Sequence, residues 1–271
     1  MNEALRLQLP RTDDRLEVIR EAMAYSLFSP GKRLRPVLTL LSAEAVGADP
    51  RIALPVACAI EFIHTYSLIH DDLPAIDNDE LRRGRPTCHV KFGEDVAILA
   101  GDALFAEAFV LILKEQPKYT GNDRLIEVLR ELAVSTGING MVGGQVVDIT
   151  ATAQKIDLPT LEYIHNQKTG SLITAAARCG AVLGGGSRPQ VEAITVYARH
   201  LGLTFQIIDD ILDVGLDADR KKTTFPGKLG VNKARDKALK TAARSVEALQ
   251  GVDLFTDRLI EMAEFVLNRT S

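Results

Sequence analysis

Two aspartate clusters carry the strongest chemical signal in the chain. The first is Asp71-Asp72-Leu73-Pro74-Ala75-Ile76-Asp77 and the second Asp209-Asp210-Ile211-Leu212-Asp213. Apolar residues flank both: Leu68 and Ile69 at the first, Ile207, Ile208, Ile211 and Leu212 at the second. Like charges this close repel. In an apolar setting an unpaired carboxylate is costly or takes up a proton. A divalent cation removes that conflict. Oxygen donors alone favour magnesium, which keeps several waters and shares its shell with substrate phosphates. A lone aspartate more often caps a helix or faces water; two such clusters read together point to metal.

Basic residues also come in tight groups. In Gly31-Lys32-Arg33-Leu34-Arg35-Pro36, Lys32 and Arg35 share one face if the segment is helical. Arg82-Arg83-Gly84 follows the first aspartate cluster, and Lys168-Thr169-Gly170 closes the stretch 165–170. Any one group reads as well as a solvated turn. Beside two carboxylate clusters they suit diphosphate, gripped by metals on one side and by Arg or Lys on the other. No G-x-x-x-x-G-K-[ST] loop occurs, so nucleotide chemistry is not indicated.

Helices must position these groups. Apolar residues recur at three- and four-residue intervals over 49–70, 124–136, 189–214, 231–249 and 254–269. The first cluster ends the apolar run 52–70; Pro74 breaks the helix, so Asp77 returns from the following turn. Asp209 and Asp213 are four apart and share a helix face. Turns are expected at 29–31, 47–50, 83–86, 116–117 and 184–186. Alternating strand patterns are scarce. The expected fold is all-α: one domain over residues 1–271, with about ten or more helices, some apolar on more than one face and so forming an inner layer.

Composition excludes several classes. The 271 residues are 46% hydrophobic and 25% charged, with a net charge of −4 and a pI near 5.8. Nucleic acid as the main partner would favour a basic domain. Cys58, Cys88 and Cys179 fit neither a disulfide framework nor a zinc site and are expected as reduced, packed thiols. Residues 1–20 are polar and charged, and no apolar stretch of about 20 residues is evident. These features lead to an expectation of a cytoplasmic protein with neither signal peptide nor membrane span.

In chain order, GKRLRP (31–36), HTYSLIHDDLPAIDNDELRRGRPTCH (64–89), GEDVAILAGDAL (93–104), GGQVVD (143–148), KTGSLI (168–173) and FQIIDDILD (205–213) resemble the successive motifs of the trans-prenyl diphosphate synthases. The resemblance covers almost the whole chain. It implies a helical bundle around a deep central cavity, usually as a homodimer. It implies that Asp71, Asp72 and Asp77, with Asp209, Asp210 and Asp213, hold about three Mg²⁺ ions, with Mn²⁺ as a substitute. Arg82, Lys168, Thr169 and Gln206 would then bind the allylic diphosphate. The Lys168 carbonyl, the Thr169 hydroxyl and the Gln206 amide would steady the carbocation left behind. Lys32, Arg35, His64 and Arg83 would hold isopentenyl diphosphate, and the departed diphosphate would take the final proton. His64 reads equally as a satisfied core histidine. Asp102, Gln145 and Asp148 would support the site or line its cavity.

Four residues separate the first Asp pair from Asp77, a spacing that resembles bacterial farnesyl and plant-type geranylgeranyl diphosphate synthases. Tyr66 and Ser67 lie about one helical turn deeper than Asp71, roughly 6–8 Å, where a growing chain would meet them. Tyr66 is the expected floor, which makes farnesyl diphosphate the expected product and geranylgeranyl diphosphate the alternative. One departure stands out. The family usually has a longer loop with a Gly-Lys after the second motif, whereas here 214–221 runs quickly to Lys222-Thr223-Thr224-Phe225-Pro226. Lys221 or Lys222 is the candidate stand-in for the absent lysine. Two rivals remain. A terpene cyclase would carry an Asn/Ser/Glu-type second motif in place of Asp209–Asp213, and a non-catalytic partner subunit tends to lose an Asp motif.

Overall fold

The computed structural model describes residues 1–151, 156–214 and 223–270. Among these residues there are fourteen α-helices, a few 3₁₀ and π turns, and one two-stranded hairpin. The chain is all-α, as its patterning predicts. It divides into two compact units: Met1–Val37 with Ile52–Asn122, and Leu38–Arg51 with Asp123–Ser271.

The first unit is organised by helix Leu54–Asp71. Pro55 opens it, where a missing N–H costs nothing. Every residue from Pro55 to Ile63 is buried, the behaviour of a helix without a polar face. The helix stops at Asp71, ahead of Pro74. The Asp77 N–H then donates to the Asp71 carbonyl at 2.9 Å, so the third carboxylate returns to the first as the spacing predicts. Helix Glu94–Glu115 packs against this core helix.

Stretches Pro50–Asp71 and Glu94–Lys118 are both long and apolar enough to cross a membrane by length and composition. That corrects the expectation that no such stretch exists. Glu61, Asp102 and Glu107 interrupt the runs and hide them in the sequence. In the first stretch 67% of the apolar window is packed inside the protein, as in a core helix.

Leu81–Arg82 and Arg85–Pro86 form the hairpin, joined by Arg83 and Gly84. Both loop residues have positive φ, 54° and 74°. A two-residue loop of this kind matches the twist of the strands it joins. It places Arg82 on one strand and Arg83 at the tip.

The second unit is built on helix Arg188–Leu212. Ser187 and Gln190 close a capping box at its start, and Pro189 sits in its first turn. Helix Val231–Glu247 packs along it. Buried Leu161, Ile207, Ile208, Phe225, Ala234 and Ala238 form a core cluster behind the second aspartate motif. Helices Leu158–Ile164 and Ser171–Leu183 are joined by a π turn, His165–Gly170. Gly144 lets helix Met141–Ala151 approach this turn: a Cβ there would overlap the backbone of Lys168. The three cysteines are buried and unpaired with one another, as expected.

Candidate active site

In the first unit the basic residues converge. The helix that takes up the second half of GKRLRP begins only at Leu34, and Arg33 adopts a left-handed φ of 52°. Lys32 and Arg35 therefore do not share a helical turn, which corrects that conditional reading. Arg33 is the anchor of this loop. Its guanidinium donates to Glu61 at 2.5 Å and to the Leu27 carbonyl at 2.6 Å, and the pair is nearly out of water at 11% and 4% exposed. Arg83 donates to the Pro30 carbonyl. Its guanidinium fills the space that a side chain on Gly31 would need.

Arg35 Nη1 lies 3.3 Å from His64 Nε2 and donates to it. Burial, then the positive charges of Arg35, Arg83, Arg82 and Arg33, hold the His64 pKa well below its usual range. His64 is therefore a neutral acceptor among arginines. Burial and the neighbouring Arg82 and Arg33 also lower the Arg83 pKa. Glu61 and Asp72 offset part of this positive charge.

Arg82 is committed differently. It grips both Asp72 oxygens, Nε at 2.8 and 3.0 Å and Nη2 at 2.6 Å. Burial pushes the Asp72 pKa up, and the arginine pulls against it. Tyr66 is 9% exposed. Its ring meets Phe105 edge-on at 4.9 Å and His70 at 5.7 Å, and Phe105 meets Phe109 at 5.3 Å. Burial, with a contribution from Asp71, pushes the Tyr66 hydroxyl up to about 12. The Ser67 hydroxyl is spent on the His64 carbonyl at 2.9 Å. Asp102 lies 3.9 Å from His70.

The second unit holds the other half of the residues. Lys168 Nζ donates to Asp148 at 2.8 Å, so the expected supporting carboxylate touches the expected cation. Thr169 follows within the π turn. The Gln145 side-chain amide is buried and makes no hydrogen bond among the described residues. Asp209 accepts from Arg269, whose side chain is 2% exposed and lies 4.1 Å over the Phe205 ring. Asp210 Oδ2 accepts the Phe225 N–H at 2.8 Å and lies 3.4 Å from His165 Nε2. Gln206 Oε1 lies 3.0 Å from His165 Nδ1. Asp213 is exposed just past the helix end, its N–H bonded to the Asp209 carbonyl, so the two remain one turn apart. Lys221 and Lys222 lie outside the described residues.

Among the described residues no three His, Cys, Asp or Glu side chains stand close enough to hold a metal ion unaided. Magnesium does not require such a cage, because it takes one or two carboxylates and completes its shell with water and phosphate. The donors present, all carboxylates, fit that ion.

A family model described as polyprenyl synthetase matches residues 16–227. The chain belongs to the polyprenyl synthetase family. It is a prenyltransferase with trans-prenyl diphosphate synthase activity. It is 42% identical over 281 residues to the farnesyl diphosphate synthase of Geobacillus stearothermophilus, covering 98% of this chain and 95% of that one. It is 45% identical over 265 residues to the chloroplastic geranylgeranyl pyrophosphate synthase of Capsicum annuum, covering 93% and 72%. A solved FPP/GFPP synthase from Zymomonas mobilis superposes with a TM-score of 0.89 at 38% identity, over 98% of this chain and 95% of that chain. The fold is thus that of solved members of this prenyltransferase family.

Arg33, Glu61, Phe105, His165 and Arg269 were not read from the sequence as site residues. Glu61 had a signal: a charge inside a wholly apolar run must find a partner. His165 and Gln206 are 41 residues apart, and nothing local to either announces the contact.

Proposed function

We propose that the chain condenses isopentenyl diphosphate with dimethylallyl or geranyl diphosphate and stops at farnesyl diphosphate. The observation that carries the product assignment is the buried Tyr66 ring. It sits about one helical turn before Asp71 and is held edge-on by Phe105 and His70.

Lys32, Arg35 and Arg83 bind the isopentenyl diphosphate, and neutral His64 keeps Arg35 in place. The positive charges of Arg35, Arg83, Arg82 and Arg33 gathered around His64 support the reading, because an entering anion is favoured there. Asp71, Asp72 and Asp77, with Asp209 and Asp213, are the residues that would hold magnesium, and Asp210 contributes through its neighbours. When bound, magnesium neutralises the allylic diphosphate and eases its departure. Lys168, Arg82 and Gln206 hold the departing diphosphate, and Thr169 and the Lys168 carbonyl face the cation. The allylic C–O bond breaks, the isopentenyl double bond forms the new C–C bond, and a proton passes to the released diphosphate.

A second copy of the chain covers part of helix Glu94–Glu115. Leu99, Val110 and Leu113 are 57%, 50% and 56% exposed, with exposed Ala106 between them. Their spacing puts them on one helix face, and an apolar stripe of this kind suits a homodimer. Three buried thiols suit a reducing cytoplasm.

The test is to incubate the chain with both five-carbon diphosphates and magnesium, then to size the dephosphorylated products. A magnesium-dependent C15 product supports both the reaction and the floor. Tyr66→Ala should then lengthen the product, and an unchanged product would sink the floor assignment. The 45% identity to a geranylgeranyl pyrophosphate synthase favours a second reading: a C20 product keeps the reaction and moves the floor elsewhere.

A further inference from the structure

Nothing in the reaction above uses Tyr25, near the end of helix Glu17–Leu27. Its hydroxyl donates to the Pro86 carbonyl at 2.8 Å, across 61 residues of chain. The Arg85 guanidinium stands over its ring, 4.5 Å from the centroid, and the Lys91 ammonium lies 4.0 Å from the same point. Phe92 meets the ring edge-on at 5.5 Å. One side chain therefore holds both residues of the second hairpin strand, Arg85 by its face and Pro86 by its hydroxyl.

The hairpin needs such a clamp. Two short paired strands are marginal on their own in water. The first strand is anchored, because Arg82 grips both Asp72 oxygens. The second pairs with it over a short register, Arg85 opposite Arg82 and Pro86 opposite Leu81. Pro86 has no N–H to give the ladder, and its carbonyl is taken by the Tyr25 hydroxyl. Between the strands Arg83 holds a left-handed φ of 54°, which a residue with a side chain keeps only where its surroundings enforce it. Arg83 in turn donates to the Pro30 carbonyl, and the Ser29 hydroxyl donates to the Tyr25 carbonyl at 2.9 Å. The chain over 25–30 thus touches the hairpin twice, at its base through Tyr25 and at its tip through Pro30. Lys32 lies two residues further on.

We infer that Tyr25 is a positioning residue for isopentenyl diphosphate: by pinning the second strand to helix Glu17–Leu27 it sets where Arg83 stands relative to Lys32 and Arg35. The inference rests on the proposed function, which gives that substrate to those three cations. Tyr25 itself touches no substrate atom. The allylic side should be spared, because Arg82 is fixed by Asp72 and not by Tyr25.

Two substitutions and one background test this. Tyr25→Phe keeps the ring under Arg85 and Lys91 and removes only the hydroxyl. It should raise the KM for isopentenyl diphosphate about 4-fold, with kcat and the KM for geranyl diphosphate within about 2-fold of wild type. Tyr25→Leu also removes the cation contacts and should raise the same KM about 15-fold. A residue that acts through Arg83 loses its effect when Arg83 is gone, so in an Arg83→Gln background Tyr25→Phe should cost less than about 1.5-fold further. Binding of inorganic diphosphate with a chelator present, read by calorimetry, should follow the same pattern without turnover: about 4-fold weaker in Tyr25→Phe, and insensitive to that change once Arg83 is replaced. Melting temperatures show which variants fold; if Tyr25→Leu does not, Tyr25→Phe and the double variant carry the test.

The inference is overturned if Tyr25→Phe leaves the isopentenyl KM unchanged, if the geranyl KM moves with it, or if the loss is undiminished without Arg83. A wild-type chain with no prenyl transfer would sink the proposed function instead, and the metal-free diphosphate titrations would still decide for or against Tyr25.

Discussion

The two units balance charge differently: in the first, Glu61 and Asp72 answer Arg33 and Arg82 within a larger group of arginines. Burial first, then the positive charges of Arg35, Arg83, Arg82 and Arg33, hold the His64 pKa well below its usual range, and burial, then Arg82 and Arg33, lower that of Arg83. In the second, charges are answered in pairs: Lys168 by Asp148, Asp209 by Arg269, and Asp210 by the Phe225 N–H with His165 beside it. A crowded cationic site gains when an anion arrives. A paired site must exchange partners before it can bind anything. The proposed function gives the metal-free substrate to the arginines of the first unit. It leaves the metal-dependent substrate to the carboxylates.

The sharpest way to break this contrast is to remove a carboxylate. Asp71→Ala or Asp209→Ala should each lower kcat/KM by about 10³-fold, with little change in the affinity for isopentenyl diphosphate. Equal losses in both would erase the distinction. Glu61→Gln attacks the frame of the cation cluster. It leaves Arg33 buried without its counter-charge and should cost about 3 kcal/mol in urea or thermal unfolding. Arg35→Gln should raise the KM for isopentenyl diphosphate about 30-fold and spare the allylic KM.

A gentler probe is pH. His64 stays neutral in the folded protein, whereas the unfolded chain takes up a proton near its ordinary 6.5. The unfolded state then binds more protons, so stability is intact above that pH and falls as the pH drops below it, by about 1.4 kcal/mol per pH unit for this one group. His64→Gln should flatten that slope in melts between pH 7.5 and 5.5; an identical slope would remove His64 from the account. The smallest effect is expected at Asp210. Its side chain is 13% exposed against 37% for Asp209, so Asp210→Asn should change the magnesium requirement less than about 3-fold, far less than Asp209→Asn.

Much of this was legible in the sequence, for identifiable reasons. Helix Leu54–Asp71 declared itself by an apolar run ended by Pro74, and the return of Asp77 followed from that proline. Asp209 and Asp213 needed only helical spacing. The loop before Leu34 did not yield, because the left-handed turn at Arg33 is enforced by Glu61, 28 residues away. Long-range partners of this kind, like Arg269 on Asp209 and His165 on Gln206, leave no local period or turn signature. The membrane-length helices were hidden by the few charges inside them.

Equilibrium binding to the wild-type chain tests the contrast most directly. Calorimetric titrations with isopentenyl diphosphate, and with an unreactive geranyl thiolodiphosphate, would each be run with magnesium and with a chelator. The account predicts that isopentenyl diphosphate binds with similar affinity in both conditions, while the allylic analogue binds only with magnesium. Metal-dependent binding of isopentenyl diphosphate, or metal-free binding of the analogue, would contradict it.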